Sequence, residues 1–423
     1  MGLEVFERGT LPRWARVRQK LDSEAVEDVA AAVAEQFRRP EIAASITPGS
    51  RVALTGGSRG IDKLDQVLRA AVAEVRRLGG EPFIVPAMGS HGGATPEGQA
   101  GVLAHYGVTE ERMGCPIRSS METVLLGHVE DGVPVWFDST ARAHADVVIP
   151  VNRVKPHTDF HGPVESGLMK MIAIGLGKQK GADTFHSRGF HEFHHLIPAV
   201  AKFTLDAVNI PFGLALVENG YSELAMVEAV AADRIWEREQ ELVKIAAERM
   251  PRLLGERIDV LFVDCLGKDI SGIGADTNVV NRYYDGPAEE KPTIQRIVIR
   301  DLTPDTEGNA CGIGLAELAL RQAVDKLDPV KTYMNSITAK APEGARIPLV
   351  VENDRQAAYI GVACCLNTET ESARIVRIRD TKHLETFWAS EPLLPELLET
   401  GRVEVLGEPE AMRFDSNGMF AHA

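Results

Sequence analysis

The first third of the chain alternates strands, glycine-rich loops and helices, and this order constrains the fold most. The apolar residues 51–55 lead into a glycine-rich loop, and apolar residues then recur at helical spacing over residues 61–75. Residues 82–86 open into the loop 89–95 in the same way, and Pro96 begins a second helix. Strands that alternate with helices pair in parallel. The sequence therefore predicts a parallel α/β sheet with such loops at the ends of its strands.

The same alternation returns in the second half of the chain and indicates a second domain. A chain of 423 residues is longer than one hydrophobic core usually serves. A helix predicted over 233–254 separates the halves, and we place the boundary near residue 257. Beyond it the pattern predicts strands at 258–263, 294–299, 347–351, 374–378 and 403–405, and helices at 314–327 and 385–398. We expect two α/β domains with mainly parallel sheets, residues 1–256 and a smaller 257–423, with the active site in the cleft between them.

Composition excludes several classes of partner. The net charge of -15 argues against a nucleic-acid partner, because phosphate binding needs a basic surface. Neither an apolar run of about 18 residues nor a secretion signal is present, so no membrane partner is expected. The five cysteines are widely spaced and form no CxxC pair, which is typical of a reducing compartment. We expect a cytoplasmic protein. The sequence leaves its oligomeric state open, and a homo-oligomer is one possibility.

Three glycine-flanked turns place polar side chains at the carboxyl ends of predicted strands. They carry Ser58 with Arg59, Ser90 with His91, and His157. Open α/β sheets bind ligands at this edge. An arginine there can hold a carboxylate or phosphate through two parallel hydrogen bonds, and two histidines can serve as an acid–base pair. The alternative is that the histidines make structural hydrogen bonds in their loops.

A lysine stands alone in an apolar run that follows these turns. Lys170 lies within residues 167–175, which are otherwise apolar or glycine. Apolar surroundings can lower the pKa of a lysine and make its amine a nucleophile. The alternative is a lysine whose amine reaches solvent along its own apolar stem.

Six of the 12 histidines fall between residues 153 and 195, and some of them match a zinc motif. His191, Glu192 and His195 form the HExxH pattern of zinc peptidases. A third ligand at the expected spacing is missing, and Glu218 is a distant candidate. A zinc hydrolase therefore stays an alternative, beside a plain polar helix start. A non-catalytic protein that binds carboxylates or metal is a third possibility.

These motifs resemble those of the nickel-dependent lactate racemase family, over residues 51–407. The loop at Ser58 is similar to the family's Asp-His-Thr-Arg substrate loop, and residues 89–95 are similar to its Gly-x-His-Arg-x-Thr loop. Lys155-Pro-His157, with the glycine-rich passage and Lys170, resembles its Glu-Pro-His…Lys segment. His186, 16 residues after Lys170, stands at the position of the family's nickel-binding histidine.

The resemblance implies a cofactor and a set of roles. The cofactor would be a nickel-pincer nucleotide, a pyridinium ring whose sulfur groups bind Ni²⁺, supplied by maturation enzymes and attached covalently to Lys170. A carbon, two sulfurs and His186 would surround the metal. Ser90 and Gly92 would contact the cofactor. His91 and His157 would act as acid and base on opposite faces of the substrate.

The implied reaction is inversion at C2 of a 2-hydroxy acid, either lactate-like or a sugar acid. The α-hydride would pass to the cofactor and return to the other face of the keto acid. Ser58 and Arg59 would hold the carboxylate. Two departures bear on the substrate: Gly56 replaces the family's acidic residue in the first loop, and the family's second-domain lysine has no clean match. Lys268 and Asn278 are the candidates for that second role.

Overall fold

The computed structural model describes residues 3–58, 60–284, 286–287 and 290–421. The chain divides into two compact units, Asp22–Met250 and Met1–Leu21 with Pro251–Ala423. Both units are mixed α/β with mainly parallel sheets, which confirms the predicted fold class. Within the described part of the chain, no helix is long and apolar enough to cross a membrane.

The strands follow one another along the chain as β1 (Trp14–Gln19), β2 (Arg51–Gly56), β3 (Glu81–Pro86), β4 (Thr123–Val129), β5 (Val133–Asp138), β6 (Val147–Ile149), β7 (Val151–Arg153), β8 (Phe212–Glu218), β9 (Leu224–Ala231), β10 (Arg257–Val263), β11 (Arg282–Tyr283), β12 (Gly286–Pro287), β13 (Thr293–Ile299), β14 (Leu318–Leu320), β15 (Leu349–Val351), β16 (Ile375–Ile378), β17 (Thr386–Ser390) and β18 (Val403–Val405).

The α-helices are α1 (Val29–Arg38), α2 (Pro40–Ala43), α3 (Leu64–Arg77), α4 (Pro96–His105), α5 (Glu110–Met113), α6 (Ser139–His144), α7 (Leu168–Lys170), α8 (Lys178–Arg188), α9 (Phe193–Ala207), α10 (Ile235–Arg249), α11 (Thr277–Val280), α12 (Arg321–Asp325), α13 (Pro329–Thr338), α14 (Asp354–Ala363) and α15 (Leu394–Glu399). A π-helical turn, Met171–Gly175, continues α7.

The unit Asp22–Met250 contains three short sheets, of which one is the antiparallel pair of β4 and β5 and the other two follow each other along the chain. Strands β3, β2 and β6 are parallel neighbours, and β7, β8 and β9 form the second sheet. Pro150 separates β6 from β7. The buried hydroxyl of Thr55, on β2, accepts the N–H of Val151 at 2.8 Å. Val151 is the first residue of β7 and directly follows Pro150. The end of β2 therefore stays attached to β7.

Apolar side chains cover both faces of the sheet formed by β3, β2 and β6. On β2, Val52 and Leu54 point to a core that includes Phe37 and Leu68 from α1 and α3, whereas Ala53 points to the other core. The second core includes Phe185, from α8. Parallel strands covered by helices on both faces are expected to be apolar in their interior, as residues 52–54 of β2 are. The polar residues are left for the ends of the strands.

The other unit contains an eight-stranded sheet in the order β15-β14-β13-β10-β16-β17-β1-β18. The first five of these strands are mutually parallel, and the last three are antiparallel to their neighbours. Strand β1 pairs with β17 and β18, so the start of the chain belongs to this unit. The assignment of residues 1–21 to the N-terminal domain was wrong in this respect, because local alternation does not report a pairing between distant segments.

Two helices predicted in the second half of the chain are also wrong. In the segment 314–327, residues Leu318–Leu320 form β14, and only Arg321–Asp325 are α-helical. In the segment 385–398, Thr386–Ser390 form β17 before α15 begins at Leu394. Short buried apolar runs read alike in a helix and in a covered strand, since neither shows a polar face.

Candidate functional site

The ends of three strands in the unit Asp22–Met250 carry the predicted polar turns. Strand β2 lies between β3 and β6, and β7 continues from β6 after Pro150. Because β2, β3 and β6 are parallel, their carboxyl ends lie on the same edge of the sheet. Ser58 follows β2, His91 follows β3 and His157 follows β7. The fold thus brings the loops of Ser58 and His91 together beside the β6–β7 strand.

Ser58 and His91 are in direct contact. The hydroxyl Oγ of Ser58 and Nδ1 of His91 are hydrogen-bonded. Tyr106 donates its hydroxyl to the carbonyl of Ser58 at 3.1 Å, and Gln99 donates to the carbonyl of His91 at 3.2 Å. Side-chain and backbone contacts therefore hold both turns. Arg59, the predicted carboxylate clamp, lies outside the described residues.

The loop of His91 depends on glycine. Gly92 has φ of 66°, and a Cβ there would lie 2.7 Å from the backbone nitrogen of Gln99. Thr95 caps α4 by accepting the N–H of Gly98 at 3.0 Å, as the sequence predicts. Ser90, at the top of the loop, is half-buried. The loop backbone thus packs closely against the start of α4, which leaves no room for a larger residue at Gly92.

Glu218 fixes the far side of the first loop. Its carboxylate accepts the N–H of Asp62 at 2.9 Å and pairs with the guanidinium of Arg153. Arg153 also reaches the carbonyl of Gly60 at 3.5 Å. Glu218, the distant candidate for a zinc ligand, is therefore engaged at the end of β7 and β8.

The structure explains the glycine that departs from the family pattern. Gly56 is buried at the end of β2, and a Cβ there would lie 2.7 Å from Cδ2 of Leu103. An acidic side chain would meet this apolar contact rather than solvent. The position of Leu103 on α4 therefore keeps residue 56 small.

His157 and Lys170 lie against each other. Nε2 of His157 contacts Nζ of Lys170, while Nδ1 accepts the backbone N–H of Asp159 at 3.0 Å. Glu165, which is only 5% exposed, accepts the backbone N–H of His157 at 2.5 Å. The ring of Phe160 packs 4.4 Å from the imidazole and 5.8 Å from the amine. The two predicted residues, 13 positions apart, thus share one half-buried location.

A buried carboxyl supports the turn that carries Lys170. Glu239, on α10, is 1% exposed and accepts the N–H of Met169 at 3.0 Å. Burial raises the pKa of Glu239 to about 7, against the lowering effect of the Met169 and Leu168 N–H groups. A Cβ on Gly167 would lie 2.5 Å from the carboxyl carbon, so glycine is needed for this approach. The π-helical turn that follows α7 is a feature often found at functional sites.

His186 lies on α8 and packs on the same group of aromatic rings. Its imidazole is 5.4 Å from the ring of Phe190 and 5.6 Å from that of Phe193. Phe193 in turn lies 5.2 Å from Phe160, which contacts His157 and Lys170. Two phenylalanines therefore separate the predicted nickel ligand from the predicted cofactor anchor.

His186 and Lys170 supply the two groups that the implied cofactor would take from the protein, an imidazole and an amine. In the described ranges, no group of three or more His, Cys, Asp or Glu side chains could hold a metal ion. A metal beside His186 would therefore need most of its ligands from elsewhere. That is the donor set of a nickel-pincer nucleotide, which brings a carbon and two sulfurs and takes one imidazole.

The HExxH residues lie at the surface. The side chain of His191 is 77% exposed and precedes α9, and it pairs with Glu192 at 3.4 Å. His195 is exposed, and its ring lies 3.8 Å from that of His194 in a tilted arrangement. Since Glu218 is engaged by Arg153, the contacts give no support to a zinc site at this motif.

Lys268 and Asn278 lie in the other unit. Lys268 directs its amine to the carbonyl of Gly272 and the side chain of Asn335. Asn278 donates to Asp276 at 2.9 Å and accepts from the hydroxyl of Tyr283 at 3.2 Å. These contacts hold both candidates for the substrate role within their own unit.

Sequence reasoning missed several residues that hold the predicted ones. Glu165 accepts the backbone N–H of His157, and Gln99 donates to the carbonyls of Gly89 and His91. Glu165 lies in a polar loop and Gln99 on a weakly amphipathic helix, so no local sequence pattern identifies either residue. Only the folded arrangement identifies them.

Comparisons with known proteins give a structural likeness. No family model and no curated protein sequence matches this chain. The chain is similar to the solved structure of the lactate racemase apoprotein from Thermoanaerobacterium thermosaccharolyticum, at 14% identity and a TM-score of 0.48, with 90% of each chain covered. Residue roles cannot be transferred at this level, so they depend on the contacts described above.

Proposed function

We propose that this protein is a racemase or epimerase that inverts C2 of a 2-hydroxy acid, lactate-like or a sugar acid. It would use a nickel-pincer nucleotide attached to Lys170. The contact between Lys170 and His157 carries the proposal, because it joins the predicted anchor and a predicted acid–base group. The 2-hydroxy acid would be its small-molecule partner, and the cofactor maturation enzymes would be its protein partners.

The hydrogen bonds of His157 favour a reactive form of Lys170. Nδ1 of His157 accepts an N–H from Asp159, so a neutral imidazole carries its proton on Nε2. Nε2 faces Nζ of Lys170, so in this tautomer His157 would donate to the amine, which would then be uncharged. An uncharged amine is the form that can attack a carbonyl or carboxyl-derived group. Lys170 is therefore suited to a covalent attachment.

The two histidines would handle the proton of the substrate hydroxyl. His157 would take or give it at Nε2, from the loop after β7. His91 would use Nε2 as well, since its Nδ1 is turned to Ser58. Groups on loops after different strands can reach opposite faces of one small substrate, which inversion requires. The nearby hydroxyl of Ser58, with Arg59, would hold the carboxylate.

The cofactor, when bound, supplies the hydride acceptor and donor that amino-acid side chains lack. His186 would hold its Ni²⁺, and Ser90 and Gly92 would contact it from the loop after β3. Lys268 and Asn278 stay candidates for the substrate role on the sequence alone.

A substrate screen with cofactor-loaded protein tests the proposal. Protein made in a host with the maturation enzymes is incubated with single enantiomers of 2-hydroxy acids and sugar acids, followed by chiral chromatography. We expect one pair of epimers to interconvert, and His157→Gln to abolish this. His195→Gln, at an exposed histidine of the same region, is the matched control and should retain activity. Binding of such acids without inversion of any of them would instead identify a non-catalytic carboxylate-binding protein.

A further inference from the structure

A fully buried lysine lies behind the loop of His91. Lys178 has no exposed surface, and its ammonium forms an ion pair with Asp138 at 2.9 Å. The same ammonium donates to the carbonyl of Pro86 at 2.5 Å and lies 3.4 Å from Oε1 of Gln99. Three segments, at the ends of β3 and β5 and within α4, are thus tied to the first residue of α8.

Gln99 connects Lys178 to the loop of His91. It is also fully buried, and its Nε2 donates to the carbonyl of Gly89 at 2.9 Å and to that of His91 at 3.2 Å. The two ends of the amide are distinguished by their partners, since Oε1 faces an ammonium and Nε2 faces two carbonyls. A chain of polar contacts therefore runs from Asp138 through Lys178 and Gln99 to the backbone of His91.

Stability alone is a poor reason for this arrangement. Buried ion pairs often contribute no more to stability than apolar residues of the same size would. Lys178 also has φ of 54°, a left-handed conformation that is unfavourable for a residue with a side chain. Such conformations persist where the surroundings hold them in place, and they are frequent at functional sites.

We propose that Lys178 and Gln99 are positioning residues for His91. They hold both carbonyls that flank Ser90 and His91, so that the imidazole keeps its place beside Ser58 at the edge of the sheet. Lys178 also begins the helix that carries His186 two turns later, which links the loop to the proposed metal ligand. The proposal rests on the proposed function in assigning an acid–base role to His91.

Gln99→Met tests the proposal. Methionine keeps the length of the side chain but removes the donors to Gly89 and His91, while Lys178 keeps Asp138 and Pro86 as partners. Gln99→Glu is the second variant, because it can still pair with Lys178 but cannot donate. Gln66→Glu, at an exposed glutamine of α3, is the matched control for the added charge.

We expect faster hydrogen exchange over residues 87–95 in both Gln99 variants. We also expect kcat to fall about 10- to 100-fold with KM close to wild type, since small displacements of a reacting group have effects of this size. Cofactor attachment at Lys170 should be retained. Unchanged exchange, or unchanged kcat in cofactor-loaded protein, would overturn the proposal. A wild-type protein that inverts no acid would count against the proposed function, while the exchange rates would still decide whether Gln99 holds the loop.

Discussion

The buried carboxyl of Glu239 gives a quantitative prediction. Replacement by glutamine keeps an oxygen that can accept the N–H of Met169 and removes the ability to ionise. Burial raises the pKa of Glu239 to about 7 from 4.5, so ionisation in the folded state is unfavourable. Among the described residues, Oε1 has no hydrogen-bond partner, so a neutral amide there resembles the protonated acid.

The sign and size of the effect follow from the two pKa values. A pKa raised on folding means that the stabilising contribution is complete below pH 4.5 and is lost as the pH rises through 7. The two pKa values differ by about 2.5 units, and at about 1.4 kcal/mol for each unit the total loss is about 3 to 4 kcal/mol. Glutamine does not ionise, so the stability of the Glu239→Gln variant does not undergo this loss as the pH rises. The free energy of unfolding of Glu239→Gln relative to wild type should therefore rise by about 2 to 3 kcal/mol between pH 5 and pH 8.

Hydrogen exchange with mass spectrometry can measure this in one unit of the chain. Exchange over Ile235–Arg249, the helix of Glu239, is followed in increasing urea at pH 5, 6.5 and 8. Glu241→Gln is the matched control, because Glu241 lies on the same helix with its side chain 58% exposed and paired with Arg238. Its difference from wild type should change little with pH. A Glu239→Gln difference that is constant across this range would refute the reasoning.

Three further predictions concern buried and exposed groups. Lys178→Met should lower the free energy of unfolding by about 3 to 5 kcal/mol in urea titrations, because it leaves the Asp138 charge buried and unpaired. Adding Asp138→Asn should restore most of that loss. Gly56→Asp should lower the free energy of unfolding by about 1 to 3 kcal/mol in the same assay, because its Cβ would clash with the side chain of Leu103. Glu192→Gln should leave stereoinversion unchanged in the chiral assay, whereas a zinc hydrolase using HExxH would lose its turnover.

The sequence predicts the fold where alternation is strong. Strands over 51–55 and 82–86 lie within β2 and β3, and 403–405 coincides with β18. The first two contain the apolar runs 52–54 and 82–86, each followed by a glycine-rich loop. The strand Leu318–Leu320 could not be told from a helix, because it is short and buried on all sides. Strand β1 could not be placed at all, because its partners lie more than 350 residues away.

The side chains that hold the site are harder to predict. Lys178 falls on the same helical stripe as Gly181, Ala182 and Phe185, and Glu239 is one turn from Ile235. In the folded protein both charges therefore lie on the buried faces of their helices. Charged residues on amphipathic helices usually mark the solvent side, so the pattern alone favours the opposite interpretation. Only the partners found in the fold, Asp138 for Lys178 and the Met169 N–H for Glu239, explain why they are buried.

The mass of the peptide that carries Lys170 tests the central claim most directly. Protein from a host with the maturation enzymes should contain nickel, and this peptide should carry the added mass of the nucleotide. Protein from a host without those enzymes should show the unmodified peptide and no stereoinversion. An active preparation in which the peptide of Lys170 is unmodified would contradict the account.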